Sequence, residues 1–253
     1  IASPDFESDA VATRIEFVPL GENVRAHLEG VAGALHGGGV GFMREMKRWA
    51  DLSLAHQFRT LPSATANVDY VIAAGTVLFA ASVAEFHRVP FRYVAYVPAL
   101  LPSEAHTPAV LPFQVRARWA NRLLWRGASR LVNAMTLGTL NGYRDQLGLA
   151  PVSDVVQHVL SKNPLVAVDR PLAPMPEDCP VGYEQIRCLH PFDDEPLPAD
   201  VEQFLQAGPA PVYFGFGSMT DPDPARTTGR LLEAVTTLGC RAIISRGWAR
   251  LGD

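Results

Sequence analysis

A glycine-rich junction in the last fifth of the chain has the residue types of an anion site. The run "VYFGFGSMT" at 212–220 joins an apolar stretch to a segment with helical spacing. Glycines let backbone amides turn toward a ligand, the hydroxyls of Ser218 and Thr220 add donors, and the nearby helix start adds partial positive charge. Open parallel sheets bind ligands at the carboxyl ends of their strands. We therefore predict that Gly217, Ser218 and Thr220 contact a phosphate or diphosphate.

A second strand end follows nearby, where "RAIIS" leads into Arg246 and Trp248. Arg246 could meet a phosphate and Trp248 could stack on a base. A dinucleotide fingerprint matches poorly, because Thr220 stands where its third glycine belongs and no acidic residue closes the next strand. Two alternatives stay open, an NADP-dependent oxidoreductase with Arg246 on the extra phosphate and a non-catalytic nucleotide-binding or partner module. The Gly-Lys-Ser/Thr of a Walker-type phosphate loop is absent from the sequence.

The elements that must position these residues alternate strand and helix. An apolar strand at 70–73, a helix within 76–87 and a second apolar strand at 91–97 form a βαβ pattern. Strands that are apolar on both faces indicate a parallel sheet covered by helices, so the fold class is α/β. Two long helices are predicted at 115–125 and 129–147, the second ending at Gly148.

The second half of the chain divides into further elements and a connector. Short strands are predicted at 165–169 and 184–190, and a Pro- and acid-rich segment at 191–200 reads as a stiff solvated connector. A helix at 200–206 follows it. Another helix begins with Asp223 as its N-cap and Pro224 as its first residue, and its predicted apolar face consists of Leu231, Leu232, Val235 and Leu238.

Composition limits the function classes. The 253 residues are 48% hydrophobic and 19% charged, as in ordinary globular proteins. A formal net charge of −4 without a Lys/Arg block argues against nucleic-acid binding. The apolar, charge-free stretch at 70–84 falls short of the roughly 20 residues that cross a bilayer, so no stable membrane insertion is expected. The cysteines Cys179, Cys188 and Cys240 lack metal-ligand spacing and predict free thiols in a reducing, cytoplasmic setting.

Four stretches together resemble the nucleotide-sugar-dependent glycosyltransferases with two facing Rossmann-like domains, the GT-B fold. They are "VYFGFGSM" (212–219), "ISRGWARL" (244–251), "SVAEFHRVPFRYVAYVPALLPSE" (82–104) and "DDEPLPADVEQFLQAG" (193–208). The branch they resemble most is the bacterial one that decorates antibiotics, including the glycopeptide glycosyltransferases, with sterol glucosyltransferases more distant. The resemblance implies an acceptor domain at 1–190, a linker and helix at 191–208 and the start of a donor domain at 209–253.

The resemblance also implies an activity and a set of contacts. An inverting enzyme would move a sugar from a UDP- or dTDP-sugar to a hydroxyl of a bacterial natural-product aglycone, without a metal or other cofactor. The implied donor contacts are Gly217, Ser218, Thr220, Arg246 and Trp248. The implied acceptor contacts are Pro98, Leu101, Ser103, Glu104, His106 and Trp125.

The chain departs from the family pattern in two ways. It resembles the family from the second strand of the acceptor domain to the second strand of the donor domain, so we expect both ends to be incomplete. Many relatives orient a catalytic His with an Asp at the end of the strand that here reads "DYVIAA", where the matching position is Ala74. Glycopeptide-type members lack this dyad too. His106 is the local candidate for a general base, because histidine titrates near neutrality.

Overall fold

A computed structural model describes residues 1–26, 39–111, 113–189 and 196–252. The chain forms two compact units. The first holds the described residues of Ile1–Gly21 and Met43–His190, and the second holds those of Glu22–Phe42 and Pro191–Asp253. The predicted domain limits rest on composition and resemblance and stay a prediction, and residues 190–195 of the connector lie outside the described residues.

The first unit is built on a parallel sheet. Its strands, in sheet order, are β1 (Val71–Ala74), β2 (Phe91–Ala95), β3 (Leu165–Ala167) and β4 (Glu184–Ile186). All neighbouring pairs are parallel. Its helices are α1 (Glu7–Ala12), most of α2 (Gly39–Ala64), α3 (Ala80–His87), α4 (Arg118–Gln146) and α5 (Val155–Leu160), with 3-10 turns at Pro4–Phe6 and Pro98–Leu100. The predicted βαβ unit is confirmed as β1-α3-β2.

One helix prediction is wrong. The two helices expected at 115–125 and 129–147 are a single helix, α4, which continues through Gly127. A glycine inside a helix costs about 1 kcal/mol relative to alanine, which is too little to break a helix that is anchored on both sides of it. The predicted end is confirmed, because Gly148 adopts a left-handed conformation with φ 71°.

The core of the first unit lies between the sheet and its helices. Phe79 and Leu140 are fully buried, and Phe58 stacks on Tyr143 at 4.5 Å between ring centroids while meeting Phe79 edge-on. The βαβ strands are apolar on both faces because helices cover them, and this burial dominates the stability of such a domain. The sheet thus holds the segments after β2 and β3 at one edge.

The second unit contains a smaller parallel sheet. Its elements are α6 (Ala199–Gln206), β5 (Val212–Phe214), α7 (Pro224–Leu238) and β6 (Ala242–Ile244), and β5 pairs with β6. The predicted start of α7 is confirmed, since the Asp223 side chain accepts a hydrogen bond from the Arg226 amide at 3.1 Å. The predicted apolar face is only partly correct. Leu231 and Val235 are half-buried, but Leu232 and Leu238 are 52% and 76% exposed.

Candidate functional site

Two turns contact each other at the carboxyl ends of β5 and β6. The Trp248 amide donates to the Gly217 carbonyl oxygen at 2.9 Å. Both turns need glycine, because Gly217 has φ 56° and Gly247 has φ 49°. A Cβ atom at Gly247 would lie 2.8 Å from the Gly217 oxygen, so the second turn fits against the first only without a side chain.

The first turn presents hydrogen-bond donors that make no hydrogen bond to any other described residue. Ser218 is exposed and Thr220 is half-buried. Among the described residues, neither hydroxyl has a hydrogen-bond partner, and the same holds for the amides of Gly217 and Ser218. A cluster of free amides and hydroxyls at a strand end suits an anionic group.

The start of α7 contributes less to an anion site than the sequence suggests. Its amide end is already capped by the Asp223 carboxylate, and the Asp221 carboxylate accepts from the Asp223 amide at 2.8 Å. A capping carboxylate offsets the partial positive charge that an anion would otherwise meet. An anion at this site would therefore interact mainly with the amide and hydroxyl donors of the turn at Ser218, and less with the helix end.

The turn after β6 carries the two residues predicted to lie near the nucleoside. Arg246 is exposed and Trp248 is half-buried. The guanidinium carbon of Arg25 lies 5.7 Å from the centroid of the Trp248 ring, a cation–π contact within the second unit. Sequence reasoning missed Arg25, because the residues next to it in the sequence do not indicate a contact with a residue as distant in the chain as Trp248.

In the first unit, the Asp178 carboxylate, which sequence reasoning also missed, holds the loop after β2 through hydrogen bonds. Asp178 accepts from the Ser103 hydroxyl at 2.8 Å and from the Glu104 amide at 2.7 Å. The Ser103 hydrogen bond is the main cause of the lowered pKa of Asp178. Glu104 forms ion pairs with Arg118 and Arg122 of α4. Ser103 and Glu104 therefore fix the shape of this loop.

The other predicted acceptor residues fall into two groups. Pro98 and Trp125 are half-buried, and the Trp125 indole donates to the His106 carbonyl oxygen at 3.1 Å. Leu101, however, is 0% exposed and packs into the core. The expectation that Leu101 contacts an acceptor is not supported, because its side chain reaches no surface in this structure.

His106 is a poor general base in this conformation. Its Nδ1 atom lies 3.0 Å from the Thr107 carbonyl oxygen, which places the ring proton on Nδ1. Its Nε2 atom is buried and has no hydrogen-bond partner among the described residues. A base must come within hydrogen-bond reach of the substrate proton. The geometry therefore does not support the candidate role of His106.

A buried polar cluster joins three helices of the first unit. The Ser82 hydroxyl lies 2.9 Å from His158 Nε2, and Arg144 donates to Ser82 at 2.9 Å. Burial lowers the pKa of His158, and the Arg144 charge lowers it further. Ser82 is fully buried, so this Ser-His pair stabilises the packing of α3, α4 and α5. A cavity of about 800 Å³ borders the cluster and is lined by residues that include Glu85 and Lys162.

Within the described ranges, no group of three or more His, Cys, Asp and Glu side chains could hold a metal ion. None of the helices in the described part of the chain is both long enough and apolar enough to cross a bilayer. Cys179, Cys188 and Cys240 are free thiols.

Several characterised proteins are similar to this chain. Glycosyltransferase GtfC of Amycolatopsis orientalis is 37% identical over 213 residues, covering 82% of this chain and 51% of that protein. Glycosyltransferase GtfE of the same organism is 31% identical over 99% of this chain and 60% of that protein. Spinosyn forosaminyltransferase SpnP superposes with a TM-score of 0.50 at 12% identity, over 96% of this chain and 56% of that one. No family profile matches the chain.

Parallel α/β units with a glycine turn at a strand end, together with the likeness to SpnP, define the GT-B fold. The chain is a homologue of the bacterial glycopeptide glycosyltransferases, as the sequence resemblance implied. It spans between half and three fifths of the length of these relatives. The alternative of an NADP-dependent oxidoreductase finds no support among them.

Proposed function

We propose that the protein moves a sugar from a UDP- or dTDP-sugar to a hydroxyl of a bacterial natural-product aglycone, with inversion at the anomeric carbon. The observation that carries this proposal is the set of free donors around Ser218, fixed by the contact between Gly217 and Gly247. Two further relatives support the substrate classes by their names, a vancomycin aglycone glucosyltransferase and a dTDP-epi-vancosaminyltransferase, both from Amycolatopsis orientalis.

The proposed chemistry is a single displacement. The acceptor hydroxyl oxygen attacks the anomeric carbon from the side opposite the diphosphate, the bond from that carbon to the diphosphate oxygen breaks, and the hydroxyl proton passes to a general base. The amides of Gly217 and Ser218 and the hydroxyls of Ser218 and Thr220 donate to the departing diphosphate. Fixed donors of this kind stabilise developing negative charge without a metal ion or other cofactor.

The nucleoside part of the donor is assigned to the turn after β6. In this proposal Arg246 contacts a phosphate or ribose oxygen, and the half-buried Trp248 offers its ring to the base. Aromatic side chains stack on bases regardless of their identity, which would allow either uracil or thymine. The cation–π contact with Arg25 holds the ring in place.

The acceptor is assigned to the first unit. The loop that contains Pro98, Ser103 and Glu104, together with Trp125 of α4, would shape one wall of its pocket. Asp178, Arg118 and Arg122 hold this loop rigid through the contacts described above. The proposed partners are thus two small molecules, an aglycone and a nucleotide sugar, encountered in the cytoplasm.

Ligand-induced stabilisation tests the donor assignment. A ligand that binds only the folded protein raises its unfolding free energy by about 2.7 kcal/mol at one hundred times its dissociation constant. We expect UDP or dTDP to raise the melting temperature, and NADP to leave it unchanged. A shift produced by NADP alone would instead favour the oxidoreductase.

Transfer itself is measured separately. Incubation with a UDP- or dTDP-hexose and a panel of aglycones, followed by mass spectrometry, should show an aglycone heavier by one sugar residue. Nucleotide binding without any transfer would favour the non-catalytic nucleotide-binding module.

A further inference from the structure

The amino-terminal half of α4 presents an exposed face that is both basic and apolar. Five arginines fall within residues 116–130, whereas no Asp or Glu occurs between Glu104 and Asp145. Trp119 is 68% exposed and Leu123 is 54% exposed on the same helix. This concentration of cations contrasts with the formal net charge of −4 of the whole chain.

Two of these five arginines are neutralised by carboxylates of the fold. Arg118 and Arg122 pair with Glu104, and Arg118 also approaches Asp178. Arg116, Arg126 and Arg130 are exposed, and none of them has an ion-pair partner among the described residues.

The exposed residues form one continuous face. Trp119, Leu123, Arg126 and Arg130 are spaced four, three and four residues apart, so their side chains follow one side of the helix. We call these four residues, together with Arg116 just before the start of the helix, the α4 basic face. The fold holds a different side of the helix, where the Asn121 amide donates to the Glu104 and Val115 carbonyl oxygens at 2.9 Å each.

The end of the helix adds to the positive charge. No acidic residue lies in the first turn of α4, and its N-cap, Ala117, offers no side-chain hydrogen bond. The helix dipole places partial positive charge at the same end, where Arg116 and Arg118 lie. Glu104 and Asp178 compensate for Arg118 at this end, whereas Arg116 has no ion-pair partner among the described residues, so its charge adds to that of the helix dipole.

Trp119 and Leu123 indicate which kind of anionic partner the α4 basic face would bind. A small free anion would neutralise arginines but would leave Trp119 and Leu123 in water. Helices that rest on anionic membranes combine arginines, which reach lipid phosphates, with Trp and Leu, which enter the headgroup region. We propose that the α4 basic face docks reversibly on an anionic lipid surface. This docking is independent of the proposed sugar transfer.

Vesicle binding tests this proposal. The whole chain is sedimented or floated with vesicles of phosphatidylcholine alone and with vesicles that contain about a third phosphatidylglycerol. We expect binding to the anionic vesicles only, with loss of binding as NaCl is raised toward 1 M, where the Debye length falls to about 3 Å.

Two variants separate the charges from the apolar contacts. Arg126→Glu/Arg130→Glu should lower the partition coefficient about 30-fold or more, because each arginine near an anionic surface contributes severalfold. Trp119→Ser/Leu123→Ser should also lower the partition coefficient, although this variant keeps all five arginines. The matched control, Arg230→Glu/Leu238→Ser, changes an exposed arginine and an exposed leucine of α7 and should bind as the parent does.

Three results would overturn the assignment. Equal binding to neutral and anionic vesicles would remove the role of charge. Unchanged binding of both α4 variants would place the contact elsewhere. Binding to soluble polyglutamate without binding to vesicles would assign the α4 basic face to an acidic protein instead. Circular dichroism of each variant checks that α4 is intact.

Discussion

Replacement of Gly247 by alanine tests whether the two strand-end turns act as one site. The left-handed backbone conformation at φ 49° costs a non-glycine residue roughly 1–2 kcal/mol. The added Cβ atom would also lie 2.8 Å from the Gly217 oxygen, so the Gly217 turn must move. That movement breaks the 2.9 Å hydrogen bond from the Trp248 amide, which contributes about 1 kcal/mol. We expect a total loss of about 2–3 kcal/mol of unfolding free energy.

Gly239→Ala is a matched control in the same unit. Gly239 has φ 59°, but a Cβ atom there would meet nothing within 4 Å. This variant should lose only the backbone part, about 1–2 kcal/mol, and should bind UDP or dTDP as the parent does. Gly247→Ala should bind the nucleotide about tenfold more weakly, because the donors around Ser218 are displaced.

Urea denaturation and isothermal titration calorimetry of the two variants provide the comparison. The reasoning is refuted if both variants show the same loss of stability and both retain the parent's affinity for nucleotide. Equal losses of affinity would also refute it, because the effect would then come from general destabilisation rather than from the contact with Gly217.

Three other predictions concern single side chains. Ser218→Ala should weaken UDP or dTDP binding by about 1 kcal/mol or somewhat more in calorimetry, and an unchanged dissociation constant would exclude its hydroxyl from the site. Asn121→Asp replaces two donated hydrogen bonds in a fully buried position by repulsion from two carbonyl oxygens, so urea denaturation should show a loss of about 3 kcal/mol or more; a loss below about 1 kcal/mol would contradict this account. Because the pKa of His158 is lowered in the fold, the unfolded state binds a proton first as pH falls below about 6.5, and stability should decline there. His158→Gln should show a shallower decline between about pH 7 and 5, and an identical slope would refute the assignment.

The parts of the fold that depend on local chemistry could be predicted from the sequence. Apolar runs on both sides of a helical segment indicated β1-α3-β2, and the start of α7 could be predicted because Asp223 and Pro224 act on their immediate neighbours. The break predicted between 125 and 129 was wrong, because the packing of a 29-residue helix outweighs the weak local cost of Gly127.

Contacts between distant residues could not be predicted. Ser103 and Asp178 are 75 residues apart, and Arg25 meets Trp248 from the other end of the chain. The burial of Leu101 is equally a tertiary property, since its flanking prolines and serine predict a solvated loop. The turn at the end of β5 could be predicted because a strand-end glycine turn encodes its own geometry, as the φ value of Gly217 shows. The contact of its residues with a nucleotide sugar stays a prediction.

A crystal structure of the protein with UDP or dTDP tests the central claim most directly. The account predicts diphosphate oxygens within about 3 Å of the Ser218 hydroxyl and of the amides of Gly217 and Ser218, with the base against the Trp248 ring. A diphosphate bound elsewhere, with the Ser218 turn left in contact with solvent, would contradict it.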